Sequence, residues 1–309
     1  MAGVKPPQQF NIDARAARWR FTRTAVANPA DDVLAREVEQ RMAARLQLMT
    51  LQPTRILDVG SGAATALPLL RQRYADAAIV AVDLVPERIR HVGARATTVM
   101  DRLNSVLRRR RAPQIHAVAA DMTKLPFAHS QFELLWSNLA LNWSDSMPDT
   151  LAEWRRVVAI GGLVMFSAYG PDTLRELRAV CAATAPGARV HGFVDMHDIG
   201  DMLVAAGFAD PVMDMEHITL TYGTFEALVA DLRTTGQTNV LSARPRGMLG
   251  RGTAQALRAA YDAHRVAGRL PATVEVIYGH AWKPAARVIA DGRAVVQFTP
   301  PAAGRRFKR

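Results

Sequence analysis

Arg55-Ile56-Leu57-Asp58-Val59-Gly60-Ser61-Gly62-Ala63-Ala64 is the stretch on which the fold turns. A short apolar run stops at two glycines, and an apolar helical pattern over 63–74 follows. Strand, glycine turn and helix in that order predict the first βα unit of a parallel sheet. The glycines let the chain turn sharply and let a ligand approach with no Cβ in the way. The free N–H groups at the helix start suit a carboxylate as well as a phosphate.

Apolar runs at 77–82, 115–119, 132–137 and 163–167 read as four more strands. Helical patterns at 86–107 and 149–158 lie between them, the second closed by Gly161-Gly162. Buried runs separated by helices argue a parallel sheet covered on both faces. Upstream, a capping carboxylate at Asp31 or Asp32 precedes Val33, Leu34, Val38, Met42 and Leu46 at helical spacing, with Pro53 as the stop. Downstream, helices are expected over 172–185, 195–206, 225–234 and 253–268, and strands over 212–221 and 273–282. The expected fold is α/β, with a seven-stranded, mostly parallel sheet and helices on both faces. Its domain spans 31–284 and carries an inserted helical lid from about 171–206 and 224–270. Residues 1–30 show no strong period and read as a flexible arm, and 285–309 as a basic tail.

The bulk composition sets limits. With 49% hydrophobic and 22% charged residues, the 309-residue chain can bury a sizeable core. Its net charge of +11 favours an acidic partner, which could be nucleic acid, an anionic membrane or an acidic protein. The single cysteine, Cys181, excludes an intramolecular disulfide and a multi-cysteine metal site. No metal is expected. No run approaches the ~18 apolar residues of a membrane helix, and a secretory n-region and h-region are missing. A cytoplasmic location is expected, although the Arg-rich, acid-poor first thirty residues also have the character of a mitochondrial presequence.

The strand ends carry the candidate site. Asp83 closes the second strand 23 residues after Gly60, near the ~20 at which a carboxylate meets ribose hydroxyls. A dinucleotide fold shares this much. However, Thr65 stands where a third glycine would follow Gly60 and Gly62. Asp58 would also repel a pyrophosphate, yet could hold an amino acid by its ammonium. At the third strand end, Asp121 suits the exocyclic amine of an adenine and Met122 its ring face. The fourth strand ends at Ser137-Asn138.

Taken together, the core resembles the class I methyltransferases, whose cofactor is S-adenosylmethionine. Two stretches are more specific: Trp136-Ser137-Asn138-Leu139-Ala140-Leu141-Asn142-Trp143 and Phe166-Ser167-Ala168-Tyr169-Gly170-Pro171-Asp172-Thr173-Leu174-Arg175-Glu176-Leu177. They resemble the malonyl-acyl-carrier-protein O-methyltransferases of biotin synthesis. So do Asp231-Leu232-Arg233 with Gly236 and Asn239, and Tyr278-Gly279-His280-Ala281-Trp282. The resemblance runs from about residue 31 to 284. It implies cofactor binding by Asp58, Gly60, Ser61, Gly62, Asp83, Leu84, Asp121, Met122 and Asn138. It also implies methyl transfer to the free carboxylate of a malonyl thioester on an acyl carrier protein.

That reaction needs no general base, because a carboxylate is already a nucleophile at neutral pH. The protein must align oxygen, methyl and sulfur and exclude water, so no catalytic side chain is expected. A cationic clamp on the malonyl carboxylate is expected instead. Arg233 is the first candidate, Arg175 another, with Tyr278 or His280 as polar neighbours; an arginine on an amphipathic helix equally suits a solvated face. The run Arg108-Arg109-Arg110-Arg111 could meet an acidic carrier protein or could be a solvated helix end. Two positions depart from the family: Ala27-Asn28-Pro29-Ala30 stands where a Tyr-Asp pair is usual, and Gly192-Phe193 where Arg-Phe is usual.

Those departures favour an alternative, a paralogue resembling the assembly factors of respiratory complex I. A nucleic-acid methyltransferase is disfavoured, because Ser137-Asn138-Leu139-Ala140 lacks the two prolines and the aromatic ring that stack a flipped base. A binding module without catalysis would still keep the glycine loop.

Overall fold

In the computed structural model, residues 11–25, 32–90, 92, 115–185, 187 and 189–285 are described. Five strands run parallel: β1 (Arg55–Val59), β2 (Ala78–Asp83), β3 (Ile115–Ala119), β4 (Phe132–Ser137) and β5 (Val158–Tyr169). Two longer strands, β6 (Ala209–Tyr222) and β7 (Leu270–Trp282), form an antiparallel pair, and β7 joins the sheet antiparallel to β5. The order is β3-β2-β1-β4-β5-β7-β6, the expected seven-stranded, mostly parallel sheet. Strand order reverses between β1 and β4, which opens a crevice at their carboxyl ends.

Helices cover both faces. On one side, α2 (Val33–Leu46) lays Val38, Met42 and Leu46 against Ile56, Leu134 and Met165. Asp32 caps it by accepting from Ala35 N at 2.9 Å. The helix stops at Leu46 rather than Pro53, because the apolar period fails there: Leu48 is 82% exposed. α3 (Ala66–Arg73) and the short α4 (Pro86–Ile89) follow β1 and β2. On the other face, α5 (Met147–Val157) buries Leu151 and Trp154 against Phe132, Val164 and Phe166. α6 (Arg175–Thr184), α7 (Met196–Ala205), α8 (Phe225–Thr234) and α9 (Arg251–Asp262) complete the described set. Among the described residues, no helix is long and apolar enough to cross a membrane.

Several expectations need correcting. Residues 14–24, inside the expected arm, form helix α1 (Ala14–Thr24), capped by Asp13 accepting from Ala16 N. Its inward apolar residues are only Ala16, Ala17 and Phe21 among four arginines, which hides the helical period. A hydrogen bond from Asp13 N to Val240 O and an Ile12–Leu241 bridge tie its start to the chain after α8. Gly161-Gly162 does not close α5. Instead β5 begins at Val158 and passes through Gly161, whose φ of +75° needs a residue without Cβ. α7, expected in the lid, buries Ile199 and Leu203 in the core over β6 and β7, beside α5. α6, α8 and α9 do form a separate cluster around Tyr261, Leu270 and Ala272. The expected 86–107 helix is seen only at its start, since 93–114 lie outside the described residues, as do Asn28, Arg108–Arg111 and 286–309.

Candidate active site

Two cavities meet at the carboxyl edge of the sheet. The first, of about 180 Å³, lies over the ends of β1, β2 and β4. Gly60, Ser61 and Gly62 line it, and the N–H groups of Gly60 and Ser61 donate to Val82 O at 2.8 and 3.0 Å. The loop is thereby pinned to β2. Gly60 has φ +71°, and a Cβ there would lie 2.2 Å from Ala140 Cβ, so this position needs glycine for conformation and for space. Asp83 bridges the turn, accepting from Gly62 N and Val85 N at 2.9 Å each. Burial raises its pKa, against the pull of Arg88 and of those two donors.

Asp58 is fully buried, and burial together with nearby Glu39 and Asp83 holds its carboxyl well above the usual range. Its Oδ2 and the Oγ of Ser61 are buried and have no hydrogen-bond partner among the described residues. Such orphans are costly unless a ligand supplies donors. Four acids line the cavity, Asp32, Glu39, Asp58 and Asp83, against Arg36 and Arg88. That charge and those orphaned atoms fit an amino-acid ammonium beside a second positive centre. Leu84 and Met122 supply apolar wall. Asp121 is exposed. It accepts from Thr123 N and Oγ1 at 2.8 Å and lines an adjoining hollow of about 50 Å³ rather than the main cavity.

Asn138 lines the first cavity and also holds the frame together. Its Nδ2 donates to Ala35 O at 2.9 Å, and its Oδ1 accepts from Ser167 Oγ at 2.7 Å. Leu139 follows with φ +51°, its N–H donating to the same Ser167 Oγ. A 3-10 turn at Leu141–Trp143 comes next, and Asn142 locks it onto β5 with two bonds to the Tyr169 backbone. Trp143 is thereby fixed edge-on to Phe21 of α1 and to His191.

The second cavity is larger, about 610 Å³, and mostly apolar, with Leu34, Leu177, Phe193, Leu228 and Val274 on its walls. Asp32, Trp143, Thr235 and Gln237 line both cavities, so the two adjoin there. Its polar groups include two arginines and a tyrosine–aspartate pair. Tyr222 donates to Asp231 Oδ2 at 2.6 Å, and burial followed by this bond raises the phenol pKa. Arg233 lines this cavity and is exposed at its rim. Arg189 lines it too, three residues before the Gly192 that departs from the family pattern.

The other expected clamp residues are elsewhere. Arg175 is 56% exposed on α6 and paired with Asp172 and Glu176. Tyr278 is buried beneath the guanidinium of Arg45, 3.8 Å from its ring centre, on the α2 side. His280 pairs in register with Met165, inside the sheet, and burial lowers its pKa. The cause is strand direction. β7 runs against β5, so its first half reaches the carboxyl edge, and Ala272 and Val274 line the cavity instead.

Sequence reasoning missed Glu39, Arg88, Tyr222, Arg189 and His191. Glu39 left a signal, an acid beside Val38 on the buried face of α2. Burial raises its carboxyl to about 7, against a hydrogen bond from Thr65 and with help from Asp32.

A methyltransferase-domain family matches residues 57–166. A malonyl-acyl-carrier-protein O-methyltransferase of Laribacter hongkongensis (strain HLHK9) is 44% identical over 300 residues, covering 96% of this chain and 99% of that protein. One of the same name from Methylovorus sp. (strain MP688) is 42% identical, covering 95% and 97%. Among solved structures, the YcgJ protein from Bacillus subtilis superposes with a TM-score of 0.54 at 12% identity, covering 81% of this chain and all of that one, a likeness of fold alone.

Proposed function

Because the chain belongs to the malonyl-acyl-carrier-protein O-methyltransferase family, we propose that it methylates the free carboxylate of a malonyl group carried on acyl carrier protein, a step of biotin synthesis. It is a methyltransferase, and its cofactor is S-adenosylmethionine, which supplies an electrophilic methyl group. The observation that carries the acceptor reading is the adjacency of two unlike cavities. An acidic cradle with orphaned buried acceptors shares Trp143 and Asp32 with an apolar chamber lined by two arginines.

Each part of the chain has a task in this reading. Asp58 and the Gly60–Gly62 backbone receive the amino-acid end of the cofactor, and Asp83 the ribose. Leu84 and Met122 line the base, with Asp121 at its edge. Arg233, helped by Arg189, holds the acceptor carboxylate by charge-assisted hydrogen bonds. The apolar walls exclude water, which would otherwise solvate the anionic nucleophile. Trp143 limits how far donor and acceptor can separate. No proton has to move before transfer, so the chemistry is orientation. With a carrier protein of fatty-acid synthesis as its partner, the enzyme would act in the cytoplasm. The relatives' names favour this reading over the assembly-factor alternative.

The test is direct. Purified protein, S-adenosylmethionine and malonyl-acyl carrier protein are incubated and the carrier is weighed. A gain of about 14 Da, one methyl for one proton, is expected, and the Asp83→Ala variant should lose it. A carrier of unchanged mass, with cofactor binding intact by calorimetry, would refute the acceptor.

A further inference from the structure

Helix α1 has eleven residues, four of them arginine (Arg15, Arg18, Arg20, Arg23) and none acidic. The capping Asp13 is already engaged by Arg244 at 2.9 Å, with Arg246 at 3.9 Å. Arg20 feels the like charges of Arg244, Arg233 and Arg23, and partial burial followed by that repulsion lowers its pKa. Cations this crowded repel one another unless anions arrive. The patch is also apolar in part. Trp19 is 53% exposed, with the guanidiniums of Arg20 and Arg23 at 5.5 and 4.9 Å from its ring centre, and Met248 is 99% exposed on the chain beyond Arg246.

Its position matters as much as its charge. The inner residues of α1, Ala17, Phe21 and Thr24, line the cofactor cavity. Arg233, one of the cations around Arg20, stands at the rim of the acceptor cavity. The positive surface therefore begins where the acceptor must enter. A macromolecule whose tethered group reaches that cavity has to rest beside the entrance, and an acidic one is steered there by charge.

We propose that the outer face of α1, with Arg244 and Arg246 beside it, is the docking surface for the acidic carrier protein that presents the malonyl thioester. The proposal rests on the acceptor assigned above and locates where the carrier binds. Complementarity selects the occupant. A carrier with an acidic helix matches arginines spaced along one helix, and the exposed Trp19 gives that contact an apolar centre of the kind interfaces favour.

The experiment compares two acceptors in the full-length enzyme, malonyl-acyl carrier protein and malonyl-N-acetylcysteamine, which has no carrier. In the variant Arg15→Glu/Arg18→Glu/Arg23→Glu, KM for the carrier substrate is expected to rise about tenfold or more. Its kcat, its rate with the small thioester and its cofactor affinity should stay within about twofold. A neutral set, Arg15→Gln/Arg18→Gln/Arg23→Gln, preserves helix propensity and should give about a threefold rise. Arg55→Glu, at the amino edge of β1, should change neither substrate. Wild-type KM for the carrier should rise with salt more steeply than that of the charge-reversed variant.

An unchanged carrier KM in both arginine sets would overturn the docking surface while leaving the acceptor intact. Equal losses on the two substrates would also overturn it, since the helix would then act on the site itself. If the wild type methylates neither acceptor, the acceptor reading fails on its own. Docking is then decided by direct titration with the carrier: binding abolished by charge reversal supports it, and binding that persists refutes it. Tighter binding of duplex DNA than of carrier by the same arginines would refute it as well.

Discussion

The two cavities share Trp143 but are built from different halves of the sheet. The smaller, acidic one hangs on the ends of parallel strands, where each βα turn delivers its residue to the same edge. The larger, apolar one is framed by the antiparallel pair β6–β7 and by α6 and α8. The first is specified locally: a strand, a turn, a side chain. The second is specified by the direction of an antiparallel pair whose strands are joined through two helices, and by helices distant in sequence. On the proposed assignment, a cofactor site would persist in the parallel half while acceptor chemistry was rewritten in the other half.

That division can be attacked from either side. The largest effect is expected from Gly60→Ala. Its Cβ would collide with Ala140 while the backbone is held at positive φ, so cofactor affinity should drop about 100-fold or more by calorimetry. Next comes Arg233→Ala. KM for the malonyl acceptor should rise about 10- to 100-fold with cofactor affinity unchanged, in keeping with the loss of a charge-assisted pair. A cofactor affinity that fell in parallel would erase the distinction between the halves. Trp143→Ala tests the shared wall, and both cofactor affinity and acceptor KM should worsen by about 3- to 10-fold in steady-state and binding assays.

The smallest effect concerns pH. Glu39 has its folded-state pKa raised from 4.5 to about 7. A carboxyl raised in this way stabilises the fold while protonated. That contribution is full below about 4.5 and is lost as pH climbs through 7. A cationic ligand in the same cavity favours the ionised form, so its binding should release a proton near neutrality. Cofactor affinity is expected to increase a few-fold (about three- to fivefold) between pH 6 and 8, and to become flat in Glu39→Gln. Calorimetry in buffers of different ionisation enthalpy measures the proton released.

How far the site could be read in the sequence follows the same division. Gly60, Gly62, Asp83 and Asn138, read as one candidate site, do line one cavity, because they stand at the ends of β1, β2 and β4 and strand ends in a parallel sheet converge. Tyr278 and His280 were misplaced because nothing local states that β7 runs backwards; register puts Val276, not His280, opposite Tyr169. Helix α1 escaped notice because its three apolar contacts are outnumbered by four arginines, and its stability comes from Asp13 and from a chain segment more than two hundred residues away. Glu39 could have been found, since an acid on the buried stripe of a helix needs a reason.

Helix α1 is a wall one helix thick, about 10 Å with its side chains. The cofactor cavity is on one side and solvent on the other. Its inner edge wedges against Gly236, where even a single methyl would lie 3.1 Å from Thr24 Oγ1. Gly236 stands just beyond the end of α8, which carries Arg233. α1 therefore packs directly against the turn that ends the helix carrying Arg233. Loosening α1 would open the first cavity to solvent from that side.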